Sequence, residues 1–132
     1  AGVYWLENNG SQSFTNRLIA ENEYADQDAF PIDLDKDGDM DVVTGAGSSN
    51  GVYWHKNNGS ESFTSHKIIS EAGNVYIKTG YGVYPIDVDG DGDIDVVSFT
   101  SGNFDWRVLW SENNGSQSFT TRTLVTNLNS VI

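Results

Sequence analysis

The sequence predicts an all-β protein made of β-propeller blades, each of four antiparallel strands, with about two and a half blades in the chain. Three observations predict it. A segment reading GVYWLENNGSQSFT at 2–15 returns as GVYWHKNNGSESFT at 51–64 and as RVLWSENNGSQSFT at 107–120. An aspartate-rich segment, DLDKDGDMD at 33–41, returns as DVDGDGDID at 87–95. Apolar residues around both alternate with a period of two, and Gly, Asn and Ser punctuate them, which is the pattern of short strands and tight turns.

The repeated segment at 2–15 is expected to begin a β-hairpin. Val3, Trp5 and Glu7 fall on one face and Tyr4 and Leu6 on the other. Asn-Asn-Gly-Ser then turns the chain, with Asn-Gly suited to positive φ. The returning strands are expected at 13–19, 62–68 and 118–124. Both faces carry apolar residues in places, so these strands are expected to lie between neighbouring sheets. The aspartate segments are expected at the tip of a second kind of hairpin. Ala29-Phe30-Pro31-Ile32 leads into the first and Val42-Val43-Thr44-Gly45 leads out. Residues 82–86 and 96–99 do the same for the second. Pro31 and Pro85 each remove a ladder donor, which places the incoming strand at a sheet edge.

Trp5, Trp54 and Trp110 mark a period of 49 and then 56 residues. The chain therefore reads as one Asn-Asn-Gly hairpin followed by two full units of both hairpins. This division gives a partial blade at 1–20, blades at 21–71 and 72–126, and the stub of a next strand at 127–132. No helix is expected. Four antiparallel strands in a repeat of ~50 residues, edge strand first, is the blade of a propeller.

Each aspartate loop carries carboxylates at positions one, three, five, seven and nine and glycine at position six. These are Asp33, Asp35, Asp37, Asp39 and Asp41, and Asp87, Asp89, Asp91, Asp93 and Asp95. Two carboxylates ~4 Å apart repel by roughly 4 kcal/mol at an effective dielectric near 20. A tight fold of such a loop calls for a hard, oxygen-seeking cation, and Ca²⁺ accepts six to eight irregular oxygen ligands. One Ca²⁺ per loop, two per chain, is expected. The side chains at positions one, three, five and nine are the expected ligands, with the main-chain carbonyl at position seven. Asp39 and Asp93 then bind through the backbone, their carboxylates facing water. Gly38 and Gly92 permit the sharp turn. An EF-hand would need a glutamate at position twelve and flanking helices. Here Thr44 and Ser98 stand at that position, among β-branched residues.

These loops, with the Val-Val that follows each, resemble the FG-GAP/VCBS repeat of integrin α-subunit propellers and many bacterial and fungal surface proteins. The Trp-x-x-Asn-Asn-Gly and Ser-Phe-Thr segments are similar to those of bacterial members, so the resemblance spans nearly the whole chain. It implies Ca²⁺ at the turn between the first two strands of a blade. The family's propellers usually have six to eight blades, more than this chain encodes.

Composition bounds the function. At 132 residues the chain is one domain by length. The formal net charge is −12, and two bound Ca²⁺ would leave −8. That surface argues against nucleic acid as a partner. No basic amphipathic stretch or long apolar run supports membrane insertion. There is no cysteine, so redox compartment is not legible. Calcium loops without EF-hand geometry favour a calcium-rich outside, hence an expected secreted or cell-surface location. The chain opens directly in a strand pattern, without a signal peptide, as a mature product or an excised fragment would.

No catalytic constellation is expected. His55 aligns with Leu6 and Ser111, and His66 with Arg17 and Arg122. The clustered aspartates read as metal ligands rather than as an acid/base pair. The repeated tryptophans read as packing between blades. Tyr24, Tyr76, Tyr81, Tyr84, Phe104 and Trp106, outside the repeats, are the better candidates to contact a ligand. Asn9, Asn58 and Asn114 each begin an Asn-Gly-Ser glycosylation pattern that turn chemistry already explains.

The expected function is a non-catalytic, calcium-binding propeller module for extracellular recognition or adhesion, with a glycan or protein ligand. The alternative is a purely structural segment, or an ancillary module of an extracellular polysaccharide-degrading enzyme. An incomplete first blade exposes a sheet edge, so a homodimer that closes the propeller head to tail is a further expectation, with a fragment of a longer propeller as the alternative.

Overall fold

The computed structural model describes residues 2–21, 26–46, 51–69, 78–101 and 106–126. All regular structure among them is strand: β1 (Gly2–Asn8), β2 (Phe14–Glu21), β3 (Asp26–Ile32), β4 (Asp41–Ala46), β5 (Gly51–Asn57), β6 (Phe63–Lys67), β7 (Lys78–Ile86), β8 (Asp95–Ser101), β9 (Trp106–Asn113) and β10 (Phe119–Val125). They form three antiparallel sheets, β1-β2, β3-β4-β5-β6 and β7-β8-β9-β10, with no closed barrel. The protein is thus all-β, as its repeats predict, with two four-stranded blades and one two-stranded sheet. The expected stub at 127–132 lies outside the described residues.

Each predicted element falls where its residues favour it. Val42-Val43-Thr44 in β4 and Val96, Val97 and Phe99 in β8 are β-branched or aromatic, and both strands fill the inner positions of their sheets. Pro31 pairs opposite Val42 in β3, and Pro85 opposite Val96 in β7. Both prolines sit on edge strands, where a missing N–H leaves no ladder bond unmade.

The main core lies between the two four-stranded sheets. Leu34, Val43, Val52, Trp54, Ile68 and Ile69 from one side meet Val83, Val96 and Leu109 from the other. Val43, Val52 and Val96 are fully buried, each stabilising the fold by roughly 1.5–3 kcal/mol. Gly45 allows the close approach, since a Cβ there would lie 3.0 Å from Val83 Cγ1. A cross-sheet hydrogen bond from Val83 N to Asp28 Oδ2 (3.0 Å) ties β7 to β3. β5 is buried on both faces, whereas the returning strands β2, β6 and β10, expected between sheets, are largely exposed. The reason is that β6 and β10 are the outer strands of their sheets and β2 is covered only at Ile19 and Ala20. A smaller cluster, Val3, Ile19 and Ala20 with Trp5, Val42 and Phe63, seats the β1-β2 hairpin on the first blade. An apolar cleft of about 270 Å³ remains there, between Trp5 and Ile19 on one side and Pro31, Met40 and Phe63 on the other.

The Asn-Asn-Gly turns differ from the sequence expectation in one respect. Positive φ is adopted by Gly10, Gly59 and Gly115, but the second such residue is Gln12, Glu61 or Gln117 rather than asparagine. The loop is longer than a two-residue turn, and asparagine side chains hold it. Asn9 Oδ1 accepts from Ser11 N (2.8 Å) and Ser13 N (3.3 Å), and Asn58 and Asn114 repeat both bonds. The side chain does here what a backbone turn would do, so asparagine need not leave ordinary φ.

His55 is a core residue. It is 1% exposed, with Thr44 Oγ1 2.9 Å from Nε2 and Ser65 Oγ 2.7 Å from Nδ1, a polar rung across β4, β5 and β6. In the next blade the same rung is Ser98, Ser111 and Thr121. Ser111 Oγ bonds Thr121 Oγ1 at 2.9 Å, but it is too short to serve the other side, and buried Ser98 Oγ has no partner among the described residues. Burial lowers the His55 pKa from 6.5 to about 4. As pH falls through 6.5 the unfolded chain takes up a proton here, and the folded chain does not until about pH 4. Stability carried by neutral His55 is therefore intact above that window and declines within it by about 1.4 kcal/mol per pH unit. In a His55→Leu variant, with the residue found at the equivalent Leu6, this decline is absent. The difference in urea midpoint between the two chains should narrow from pH 7 to pH 5; a constant difference contradicts a buried neutral imidazole.

Candidate metal centre

The two aspartate loops join β3 to β4 and β7 to β8, and their first residues fold them. Asp33 accepts from Asp37 N (3.1 Å) and Gly38 N (3.0 Å) with its two oxygens. Asp87 accepts from Gly90 N (2.7 Å) and Gly92 N (3.0 Å) in the same way. Gly38 and Gly92 both have φ +96°, the left-handed region where glycine is unstrained. Position four also requires positive φ. Gly90 adopts it freely, whereas Lys36 is held at 61°.

The ninth residue anchors each loop to the neighbouring hairpin. Asp41 is fully buried. Its Oδ2 accepts from Leu34 N (3.2 Å) and Trp54 Nε1 (2.9 Å), and its Oδ1 from Asn57 N (2.8 Å). Asp95, also fully buried, repeats all three bonds with Val88 N (3.1 Å), Trp110 Nε1 (3.0 Å) and Asn113 N (2.8 Å). Burial pushes the Asp41 carboxyl above its ordinary pKa, although the three donors pull it down. The asparagine side chains add a bond each, from Asn57 Nδ2 to Met40 O and from Asn113 Nδ2 to Ile94 O.

Position seven meets the same hairpin at its tip. A Cβ added to Gly59 would lie 2.7 Å from Asp39 Oδ2, and one added to Gly115 2.5 Å from Asp93 Oδ2. These carboxylates therefore rest on the Asn-Asn-Gly turns. Asp39 and Asp93 are both partly covered rather than turned freely to water as expected, and Asp93 is paired with Lys36 (Nζ–Oδ1 3.1 Å).

Three carboxylates converge in each loop. Asp33, Asp35 and Asp37 each place a carboxylate oxygen within 4.8 Å of the others, and Asp87, Asp89 and Asp95 do the same. Asp41 is tied up behind the first cluster, and Asp91 stands outside the second, where its Oδ1 accepts from Asp93 N (2.8 Å). Asp35 Oδ1 is buried and has no hydrogen-bond partner among the described residues. A buried anionic oxygen without a donor, beside two more carboxylates, fits a hard dication with oxygen ligands.

Two lysines distinguish the loops. Lys56 Nζ contacts Asp35 Oδ2 and lies 3.1 Å from Asp37 Oδ2, and these partners, Asp35 first, hold its pKa well above the ordinary value. The Asp39 N–H, and then Lys56, lower the pKa of Asp37. Glu7 and Glu112 occupy the position of Lys56 in the other hairpins. Each pairs instead with an arginine across its own hairpin, Arg17 (2.7 Å) or Arg122. Lys36 reaches from the first loop to Gly92 O and Asp93 of the second. Neither lysine was singled out by the sequence reading, although reversal of charge at one repeat position, glutamate to lysine to glutamate, is a legible signal.

The other candidates are dispersed. Tyr84 is exposed and packs edge-on to Phe99 at 5.8 Å, and Trp106 begins β9. Tyr24, Tyr76 and Phe104, and the side chain of Tyr81, lie outside the described residues. His66 packs on Trp54 with the rings tilted by 32° and their centroids 5.1 Å apart.

The tryptophans can be compared directly. Trp54 and Trp110 give an indole N–H to a buried carboxylate, whereas the buried Nε1 of Trp5 has no partner among the described residues. Trp110→Phe should lower stability in urea by about 2 kcal/mol more than Trp5→Phe, the difference being a hydrogen bond to a charged acceptor. Equal losses contradict the anchoring role.

No curated protein matches the chain. A family model described as FG-GAP-like repeat matches residues 33–98, half of the 132-residue sequence. The match runs from the first aspartate of one aspartate loop through the second loop and into β8. Sheet architecture, paired loops and family match agree, and the chain belongs to the FG-GAP-like repeat family.

Proposed function

We propose that this chain is a calcium-binding, non-catalytic β-propeller module of a secreted or cell-surface protein, presenting its loops to a glycan or protein ligand. The observation that carries the reading is the convergence of three carboxylates in each aspartate loop, with a buried oxygen of Asp35 left without a donor. Asp33, Asp35 and Asp37 would hold one ion and Asp87, Asp89 and Asp95 the other, with Asp91 and the position-seven carbonyls completing the shells. The ion would offset carboxylate repulsion and fix each loop against its hairpin. The non-catalytic part of the reading is supported by the histidines. His55 is committed to two hydroxyls in the core, and His66 lies on an indole ring.

The two sites are not equivalent in this reading. A dication entering the first loop must displace the Lys56 ammonium from Asp35 and Asp37. The second loop has Gly90 where the first has Lys36, and Glu112 where the first has Lys56.

Calorimetric titration with Ca²⁺ tests the metal, and a glycan array read with and without chelator tests recognition. With a dissociation constant near 10 µM, ~1 mM Ca²⁺ stabilises the fold by roughly 2.7 kcal/mol per site. Asp91→Ala should remove the increment of the second loop alone. Lys56→Gln should tighten the first site by roughly 1 kcal/mol, about fivefold, and leave the second unchanged. Melting curves indifferent to both Ca²⁺ and chelator contradict the metal reading. Array binding that chelator abolishes supports a recognition module, and absence of any bound glycan leaves protein ligands as the recognition class.

A further inference from the structure

The β1-β2 hairpin carries the fittings for an aspartate loop, and neither of the loops among the described residues is seated on it. In the two complete blades, three donors of the Asn-Asn-Gly hairpin hold the preceding loop. These are the indole N–H of Trp54 or Trp110, the backbone N–H of Asn57 or Asn113, and that asparagine's Nδ2. Trp5 and Asn8 occupy the same positions in the first hairpin. Trp5 Nε1 is buried with no partner among the described residues, a position in which an unpaired donor is costly. The edge of β1 that corresponds to the β4-paired edge of β5 is also open, because among the described residues β1 pairs only with β2. Tyr4 and Leu6 on β1 are 55% and 59% exposed, whereas the residue matching Leu6 in β5, His55, is 1% exposed. Gly10 tells the same story at the turn. A Cβ there would meet nothing within 4 Å, while at Gly59 and Gly115 it would meet the position-seven aspartate.

We propose that the open edge of β1 is a docking site for an aspartate-loop β-hairpin of the β3-β4 kind. The outgoing strand of that hairpin pairs antiparallel with β1, and its ninth-position carboxylate accepts from Trp5 Nε1 and Asn8 N. Its seventh-position carboxylate rests on Gly10. The occupant is a further repeat of this type, and the template for the contact is the pair of interfaces already inside the chain. An intact second copy does not carry a free loop of this kind, since Asp41 and Asp95 are bound to Trp54 and Trp110.

The test titrates the full 132-residue chain with a synthetic peptide of residues 26–46, following the tryptophan indole N–H signals by NMR. Trp5→Phe identifies the Trp5 signal by its loss. The expected result is saturable binding that shifts the Trp5 signal, about tenfold weaker for an Asp41→Asn peptide and for the Trp5→Phe chain. Because a free peptide must order itself to bind, a second chain carries a copy of residues 22–50 ahead of Gly2, the linkage this segment has to Gly51. In that chain the Trp5 indole should be protected from solvent exchange, and Asp→Asn at the ninth position of the added loop should remove the protection. Either positive result supports the proposal. No effect in both formats, binding insensitive to Asp41 and Trp5, or a dimer of the chain that leaves the Trp5 indole unresponsive overturns it.

Discussion

A carboxylate sealed inside each four-stranded sheet, Asp41 in one and Asp95 in the other, receives an indole N–H, a backbone N–H from the Asn-Asn-Gly hairpin and a backbone N–H from its own loop. An ionised group with no exposure is tolerated only with such a set of donors. The three bonds join parts of the repeat that neither ladder nor core would hold in register at the rim. The aspartate loop is thereby fixed to the hairpin that follows it, and Asp39 and Asp93 are laid on the glycines of that hairpin's turn. The tryptophan and the asparagine therefore belong to the loop's foundation as much as to their own strand.

Mutual repulsion within each carboxylate cluster, which in the second loop includes Asp95 itself, is the second constraint. Within each loop, the first aspartate is consumed by backbone amides, so it shapes the loop as well as facing the cluster. The charges left over differ between the blades. In the first, Lys56 sits on the cluster and Lys36 bridges to the second loop. In the second, glutamate takes the place of Lys56 and pairs with Arg122. One fold thus holds two loops of nearly the same sequence in different electrostatic surroundings. A shared motif is therefore no guarantee of a shared affinity.

Strand positions, edge prolines, the pairing of hairpins and the aspartate clusters were legible in the sequence because each rests on local chemistry repeated along the chain. The tip of the Asn-Asn-Gly turn was read correctly at glycine and not at asparagine, since side-chain capping lets Asn9, Asn58 and Asn114 keep ordinary φ. The partnership of Trp54 with Asp41 was not legible. The two are 13 residues apart, and Trp110 and Asp95 are 15 apart, so the contact has no constant spacing and depends on sheet register. The roles of Lys36 and Lys56 were hidden for a similar reason, as both reach another segment through a long, flexible side chain. His55 aligns with Leu6 and Ser111, which marks it as a repeated strand position. That placement holds, and the structure adds the hydroxyl rung that satisfies both ring nitrogens.

The account rests on the buried carboxylate acting together with the indole, and a double-mutant cycle measures that directly. Urea unfolding of the parent chain, Asp95→Asn, Trp110→Phe and the double variant yields the coupling between the two groups. The account predicts a favourable coupling of about 1.5–3 kcal/mol, the range for a hydrogen bond to a charged acceptor. A coupling within about 0.3 kcal/mol of zero, with both single variants folded, would contradict it.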